Sequence, residues 1–130
     1  MAELTPDEAT SLSKFLGSIT EYSELEALAL VTREGLRLAF SAVPGYTVDP
    51  DLFSSLSAVV VQSGSDAIET MGYTNMLEVV LRGDSGFIIL SAAGRFFLVG
   101  ASRQIPDLGK VVKVFRYYAQ EINKRYPQNS

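Results

Sequence analysis

Apolar residues recur at helical spacing in three stretches of the chain and at strand spacing in five. Leu12, Phe15, Leu16 and Ile19 follow Thr5-Pro6-Asp7-Glu8. In that opening Thr5 can cap, Pro6 suits the first helical position and Glu8 completes a capping box, so a helix is predicted from Pro6 to about Thr20. Glu26 to Thr32 (EALALVT) has strand character, and Leu36 to Ser41 alternates large apolar with small or polar side chains. Arg33-Glu34-Gly35 between them fits a three-residue hairpin loop with Gly at the left-handed position. Ala42 to Val48, with Pro44 and Gly45, reads as loop. Asp49 then caps a helix that begins at Pro50 and runs to about Met71, with Asp51 favourable to the helix dipole. Val59-Val60-Val61 and Gly64 are poor helix formers, which makes a strand the rival reading there; the serine-rich flanks and the length favour the helix.

Three strands with tight turns follow, at Asn75 to Arg82, Phe87 to Ala92 and Arg95 to Ser102. Gly83-Asp84-Ser85-Gly86 and Ala93-Gly94 are the turns. Phe87 to Leu90 and Phe96 to Val99 are apolar without alternation, as in strands covered on both faces. A last helix spans about Asp107 to Tyr126, with Leu108, Val111, Val112, Phe115, Tyr118, Ala119 and Ile122 on its stripe and Pro127 ending it. The order is α-β-β-α-β-β-β-α. With two hairpin units it predicts an α/β sandwich (α+β), a five-stranded antiparallel sheet carrying two helices on one face and the central helix on the other. There is no linker, repeat or low-complexity stretch, so residues 1–130 read as one domain with a core over about 6–126.

The central helix changes this picture. Leu52, Phe53, Leu56, Val59, Val60, Val61, Ala67, Ile68 and Met71 spread over roughly 200° of its circumference, against an apolar arc of about 100° on an ordinary surface helix. The opposite side is narrow and mild, with Ser54, Ser55, Ala58, Gln62, Ser65, Asp66 and Glu69. That is more apolar surface than one sheet contact needs.

Composition narrows the function. The chain has no Cys and no His, which removes thiolate metal sites, Ser-His and Cys-His nucleophile pairs and the usual neutral-pH proton shuttle. Only carboxylate chemistry survives, and an enzyme is the least favoured class. Residues 1–81 hold 3 basic and 12 acidic side chains, whereas residues 82–130 hold 8 and 3. The acidic total argues against a dedicated nucleic-acid partner, and the basic end fits a solvated face on the last helix. The longest uncharged run, Leu52 to Ser65, is 14 residues and contains five Ser, too short and too polar for a membrane span. The N-terminus lacks the features of a secretory signal, so a cytoplasmic protein is expected.

Single motifs point to structure rather than chemistry. Gly83-x-x-Gly86 is not followed by a helix and lacks the Lys of a phosphate loop, so it reads as a hairpin turn. Glu21, Glu24 and Glu26 lack the spacing of a calcium loop and read as a solvated loop. Asp49 and Asp51 flank Pro50 and mark a helix start rather than an acid–base pair. Spacing puts Phe115 and Tyr118 on the core stripe and leaves Tyr117 exposed.

Taken in order, several stretches resemble the roadblock family, that of the dynein roadblock light chain. They are Ala29-Leu30-Val31-Thr32-Arg33-Glu34-Gly35-Leu36 at the first hairpin and Leu77-Glu78-Val79-Val80-Leu81-Arg82-Gly83 after the central helix. Phe87-Ile88-Ile89-Leu90-Ser91 with Phe96-Phe97-Leu98-Val99-Gly100 resembles the closing hairpin. Asp107-Leu108-Gly109-Lys110-Val111-Val112 resembles the opening of the last helix, with Asp107 where Asn is commoner. The resemblance covers about residues 8–122 and implies the profilin- and longin-like roadblock architecture. It also implies a non-catalytic dimer without cofactor or metal, paired through the strand after the central helix, with the two central helices side by side. The interface residues implied are Leu56, Val60, Val61, Ile68, Met76, Leu77, Val79 and Leu81. The partners implied are a second copy, or a related roadblock chain, and a Ras-like small GTPase whose switch regions or GTP hydrolysis the dimer influences. Ser55, Ala58, Gln62, Ser65, Asp66 and Glu69 are the candidate GTPase-facing residues. A prokaryotic regulator or scaffold is the expectation, and no motif marks an arginine finger among Arg33, Arg37, Arg82, Arg95 and Arg103. The competing reading is a small-ligand sensor or other interaction module on a profilin- or PAS-like fold, which would use the wide central helix to line a cavity.

Overall fold

A computed structural model of the chain describes residues 5–23, 25–104 and 107–127. The elements are α1 (Pro6–Ser23), β1 (Ala27–Thr32), β2 (Arg37–Ala42), α2 (Pro50–Thr70), β3 (Glu78–Gly83), β4 (Gly86–Ala93), β5 (Phe96–Ser102) and α3 (Leu108–Arg125). The strands form one antiparallel sheet in the order β2-β1-β5-β4-β3. Alternation along the strands sends Leu28, Leu30, Ile89 and Leu98 into a core shared with α1 and α3. It sends Ala29, Val31, Leu90, Phe97 and Val99 into a second core under α2. The predicted three-layer arrangement is therefore present, and β1 and β5 are buried along their whole length because both faces are covered.

The helix starts follow the sequence signals. The Thr5 hydroxyl accepts from the Glu8 N–H (3.1 Å) while the Glu8 carboxylate accepts from the Thr5 N–H (2.9 Å), a complete capping box. Asp49 caps α2 through the N–H groups of Asp51 and Leu52, and Asp107 caps α3 through that of Lys110. Three boundaries differ from expectation. Helix α1 runs on to Ser23. The tight turn after β4 is Gly94-Arg95 rather than Ala93-Gly94, since Ala93 still pairs with Phe96. Strand β3 starts at Glu78 rather than Asn75: Gly72 and Thr74 both have φ of +78°, and the chain turns there before it extends.

Helix α2 settles onto the sheet through Phe53, Ser54, Ser57 and Val61. Ser54 is 0% exposed and Ser57 is buried. Their hydroxyls donate to the Pro50 and Phe53 carbonyls (2.8 and 2.7 Å), so neither is left unpaired in the apolar layer. A Cβ placed on Gly35, in the β1–β2 turn, would lie 3.0 Å from the Ala58 methyl, which shows how closely turn and helix approach. The expected phase of this helix is thus corrected in part. Ser54, Ala58 and Ser65 turn toward their own protomer, and the serines let the backbone come near.

Candidate interaction surface

With Phe53, Ser54, Ser57 and Val61 turned inward, α2 presents other large side chains to solvent. Leu52, Leu56 and Val59, at i, i+4 and i+7, are 57%, 58% and 64% exposed. They form one outer stripe. The segment after α2 exposes Met71, Tyr73 and Leu77, the last at 72%, and β3 exposes Val80 and Leu81. Large apolar side chains exposed in this number mark a candidate contact surface.

Strand β3 has one neighbour, β4, and its other edge is open. In an antiparallel ladder each residue turns both its N–H and its C=O to one side, and successive residues alternate. The Ala92 N–H donates to the Leu77 carbonyl (2.9 Å), continuing the register in which Glu78 pairs with Ser91. Leu77, Val79 and Leu81 therefore turn their main-chain groups to β4, and Glu78, Val80 and Arg82 turn theirs to the open edge.

The sequence-predicted residues separate on this frame. Leu56, Leu77 and Leu81 are exposed. Val60, Ile68 and Val79 are half-buried against the core beneath α2. Val61 and Met76 belong to that core and are not available to a partner: Val61 lies on the inward side of α2, and the Met76 sulfur packs where a Cβ on Gly64 would come within 2.6 Å of it. Among the candidate GTPase-facing residues, Ser55, Gln62, Asp66 and Glu69 are exposed, with the Gln62 amide donating to Asp66 (3.0 Å), whereas Ala58 and Ser65 are half-buried. Leu52 and Val59 were absent from the expected interface, although their spacing with Leu56 is legible in the sequence.

Several charged side chains are held by partners. Arg116 of α3 donates through Nε to the Glu78 carboxylate (2.7 and 2.9 Å), and Arg37 pairs with Asp51 (3.1 Å). Arg33 lies over the Phe97 ring and Arg95 over Phe96 and Tyr126. Arg82 is exposed and has no ion pair among the described residues. Glu24 of the expected acidic loop lies outside the described residues. Glu26 accepts from the Arg103 guanidinium and from its backbone N–H (2.6 Å). These bonds, with the Arg103 side chain the larger cause, lower the Glu26 pKa from 4.5 to about 2. A depressed carboxylate contributes stability above its unfolded pKa and loses it as pH falls through the folded value. Glu26→Gln is expected to lower the melting temperature by roughly 2–4 °C at pH 7, a modest effect because the pair is solvent-screened. The gap to the parent should narrow between pH 4.5 and about 2, as read by thermal melts across that range.

Two recesses border the surface. One, about 300 Å³, lies between the C-terminal ends of α2 and α3 and is lined by Arg33, Glu69, Asn75, Gln120 and Asn123 among others. The second, about 650 Å³, is a groove bounded by Tyr46, Val48, Phe53 and the β3–β4 hairpin. Among the described residues no group of three or more carboxylates is placed to hold a metal ion, and no helix is long and apolar enough to cross a membrane.

Residues 12–101 match the family model described as the Roadblock/LC7 domain. Among solved structures, Myxococcus xanthus MglB superposes with a TM-score of 0.84 at 18% identity, over 95% of this chain and 93% of that one. A Roadblock/LC7 domain from Streptomyces avermitilis gives 0.74 at 14% identity, over 87% and 95%. Acanthamoeba castellanii profilin IA gives 0.60 at 18%, over 87% and 97%. No curated protein matches the chain in sequence.

Proposed function

The chain belongs to the Roadblock/LC7 family, and from that premise we propose that it acts without catalysis of its own, as a self-associating regulator or scaffold for a Ras-like small GTPase. Two observations carry the self-association: the outward stripe of Leu52, Leu56 and Val59 on α2, and the open edge of β3. A second copy laid against both would cover the leucines and extend the sheet across the junction. It would also remove an edge that is otherwise open to uncontrolled pairing. The exposed polar flank of α2, Ser55, Gln62, Asp66 and Glu69, would remain free for the GTPase. The action would be positional: the dimer orders the switch segments and the GTPase supplies the hydrolytic chemistry.

Light scattering at low micromolar concentration is expected to give about twice 14.1 kDa. The pure protein is expected to turn over no GTP, and to change hydrolysis only when a partner GTPase is present. A stable monomer would favour the sensor reading instead, with the recess lined by Arg33, Asn75 and Asn123 as the place to screen ligands, since its volume of about 300 Å³ lies at the lower end for such sites.

A further inference from the structure

We infer that β3 pairs with β3 of a second copy in one register, centred on Val80, in which Glu78 of each chain lies opposite Arg82 of the partner subunit. This rests on the self-association proposed above and adds to it the alignment and the charges that select it.

The main chain limits the choices first. The outward groups of β3 belong to Glu78, Val80 and Arg82. A two-fold pairing whose centre fell between residues would set outward groups against inward ones, so the centre must fall on a residue. Centring on Glu78 sets carboxylate against carboxylate, and centring on Arg82 sets guanidinium against guanidinium. Like charges directly opposite are destabilising. Centring on Val79 leaves Glu78 opposite the partner's Val80, and centring on Leu81 brings Glu78 level with the partner's Asp84. Only Val80 at the centre engages every outward N–H and C=O of both strands while placing Glu78 opposite the partner's Arg82.

The side chains agree with the main chain. Val79 packs under α2, and Glu78 reaches Arg116 on the opposite layer. Even-numbered residues of β3 therefore share the α3 face, and Glu78 and the partner's Arg82 would meet there. Arg82 is the basic residue of this strand and has no ion pair within its own protomer among the described residues. In the dimer each Glu78 carboxylate would lie between its own Arg116 and the partner's Arg82. The short run Glu-Val-Val-Leu-Arg is thus complementary to itself when reversed.

The chain has no Cys, so single cysteines report the register without background. Opposite residues at a hydrogen-bonded position have Cα atoms about 5.5 Å apart, within disulfide reach. Under mild oxidation Val80→Cys is expected to cross-link to itself. Glu78→Cys and Arg82→Cys are each expected to fail alone, because their own copies lie about 13 Å apart along the strand, and to cross-link when mixed. Independently, Glu78→Arg and Arg82→Glu should each weaken self-association about tenfold, since each dimer contains the pair twice, and an equimolar mixture should form the heterodimer in preference to either homodimer. Cross-linking at Glu78→Cys or Arg82→Cys alone, or a mixture with no heterodimer preference, would overturn the register. If Leu81→Glu nonetheless made the protein monomeric, the β3 interface would stand and only the alignment would fall. A Leu81→Glu protein that stayed dimeric without any β3 cross-link would remove both.

Discussion

Leu56→Glu is expected to turn the protein into a monomer that keeps its fold. Leu56 sits in the middle of the outer stripe of α2, between Leu52 and Val59, and is exposed in the single chain. A glutamate there points into water, and Glu and Leu have similar helix propensity, so the protomer loses almost nothing. At an interface the same change removes two buried leucines, one from each copy, each worth about 1.5–3 kcal/mol, and adds two carboxylates that must lose water. The dissociation constant should rise by at least about a hundredfold. Sedimentation across a concentration series measures this, and circular dichroism melts show whether the protomer is intact. A Leu56→Glu protein with the parent's dissociation constant would mean that the stripe serves something other than self-association. Val61→Glu makes the contrast: five residues further on and inside the core under α2, it should unfold the chain rather than dissociate it.

Gly94→Ala is expected to cost about 3 kcal/mol or more, lowering the melting temperature by about 10 °C. Gly94 has φ +63°, and a Cβ there would collide with the Tyr126 carbonyl oxygen and lie 3.1 Å from the Asn123 Cα. Both are backbone, so either the β4–β5 turn or the end of α3 must move. Movement would break the bond from the Arg95 N–H to the Tyr126 carbonyl (2.9 Å) and separate the Tyr126 ring from Phe96. Gly45→Ala separates the two contributions. It has φ +87° with nothing near its missing Cβ, so it should show only the conformational penalty of about 1 kcal/mol. Equal losses at the two glycines would mean that α3 yields freely at its C-terminus.

The layers of the fold were legible because each depends on periodicity. The unbroken apolar runs at Phe87–Leu90 and Phe96–Val99 announce strands covered on both faces, and the four-residue recurrence from Leu12 to Ile19 and from Val111 to Ile122 announces the two helices over one of them. The site was legible only in part. A helical wheel gave the width of the apolar arc on α2 but not its phase, since an arc of roughly 200° offers the sheet more than one seat. Serine settled the phase by two properties that a hydropathy pattern does not register, its small size and its ability to return its hydroxyl to the carbonyl four residues back. With that phase Val61 faces inward and Leu52 and Val59 outward, while Met76, beyond the helix, is buried against Gly64. The late start of β3 had no comparable signal, because Met76 and Leu77 look like strand until the left-handed turns at Gly72 and Thr74 are known.

The seating of α2 on serines has a kinetic consequence. Helix α3 holds the sheet with Val111, Phe115, Ala119 and Ile122, whereas α2 holds it with Phe53, Ser54, Ser57 and Val61, so in an isolated protomer α2 has less apolar anchorage against opening. Regions with little buried apolar contact open at a lower free energy than the molecule as a whole. Amide protons of α2 should therefore exchange with deuterium sooner than those of α3 in a dilute Leu56→Glu protein, and fall into step with them when the parent chain is concentrated. A surface element fastened this lightly is completed by whatever covers it, and its exchange rate becomes a gauge of occupancy.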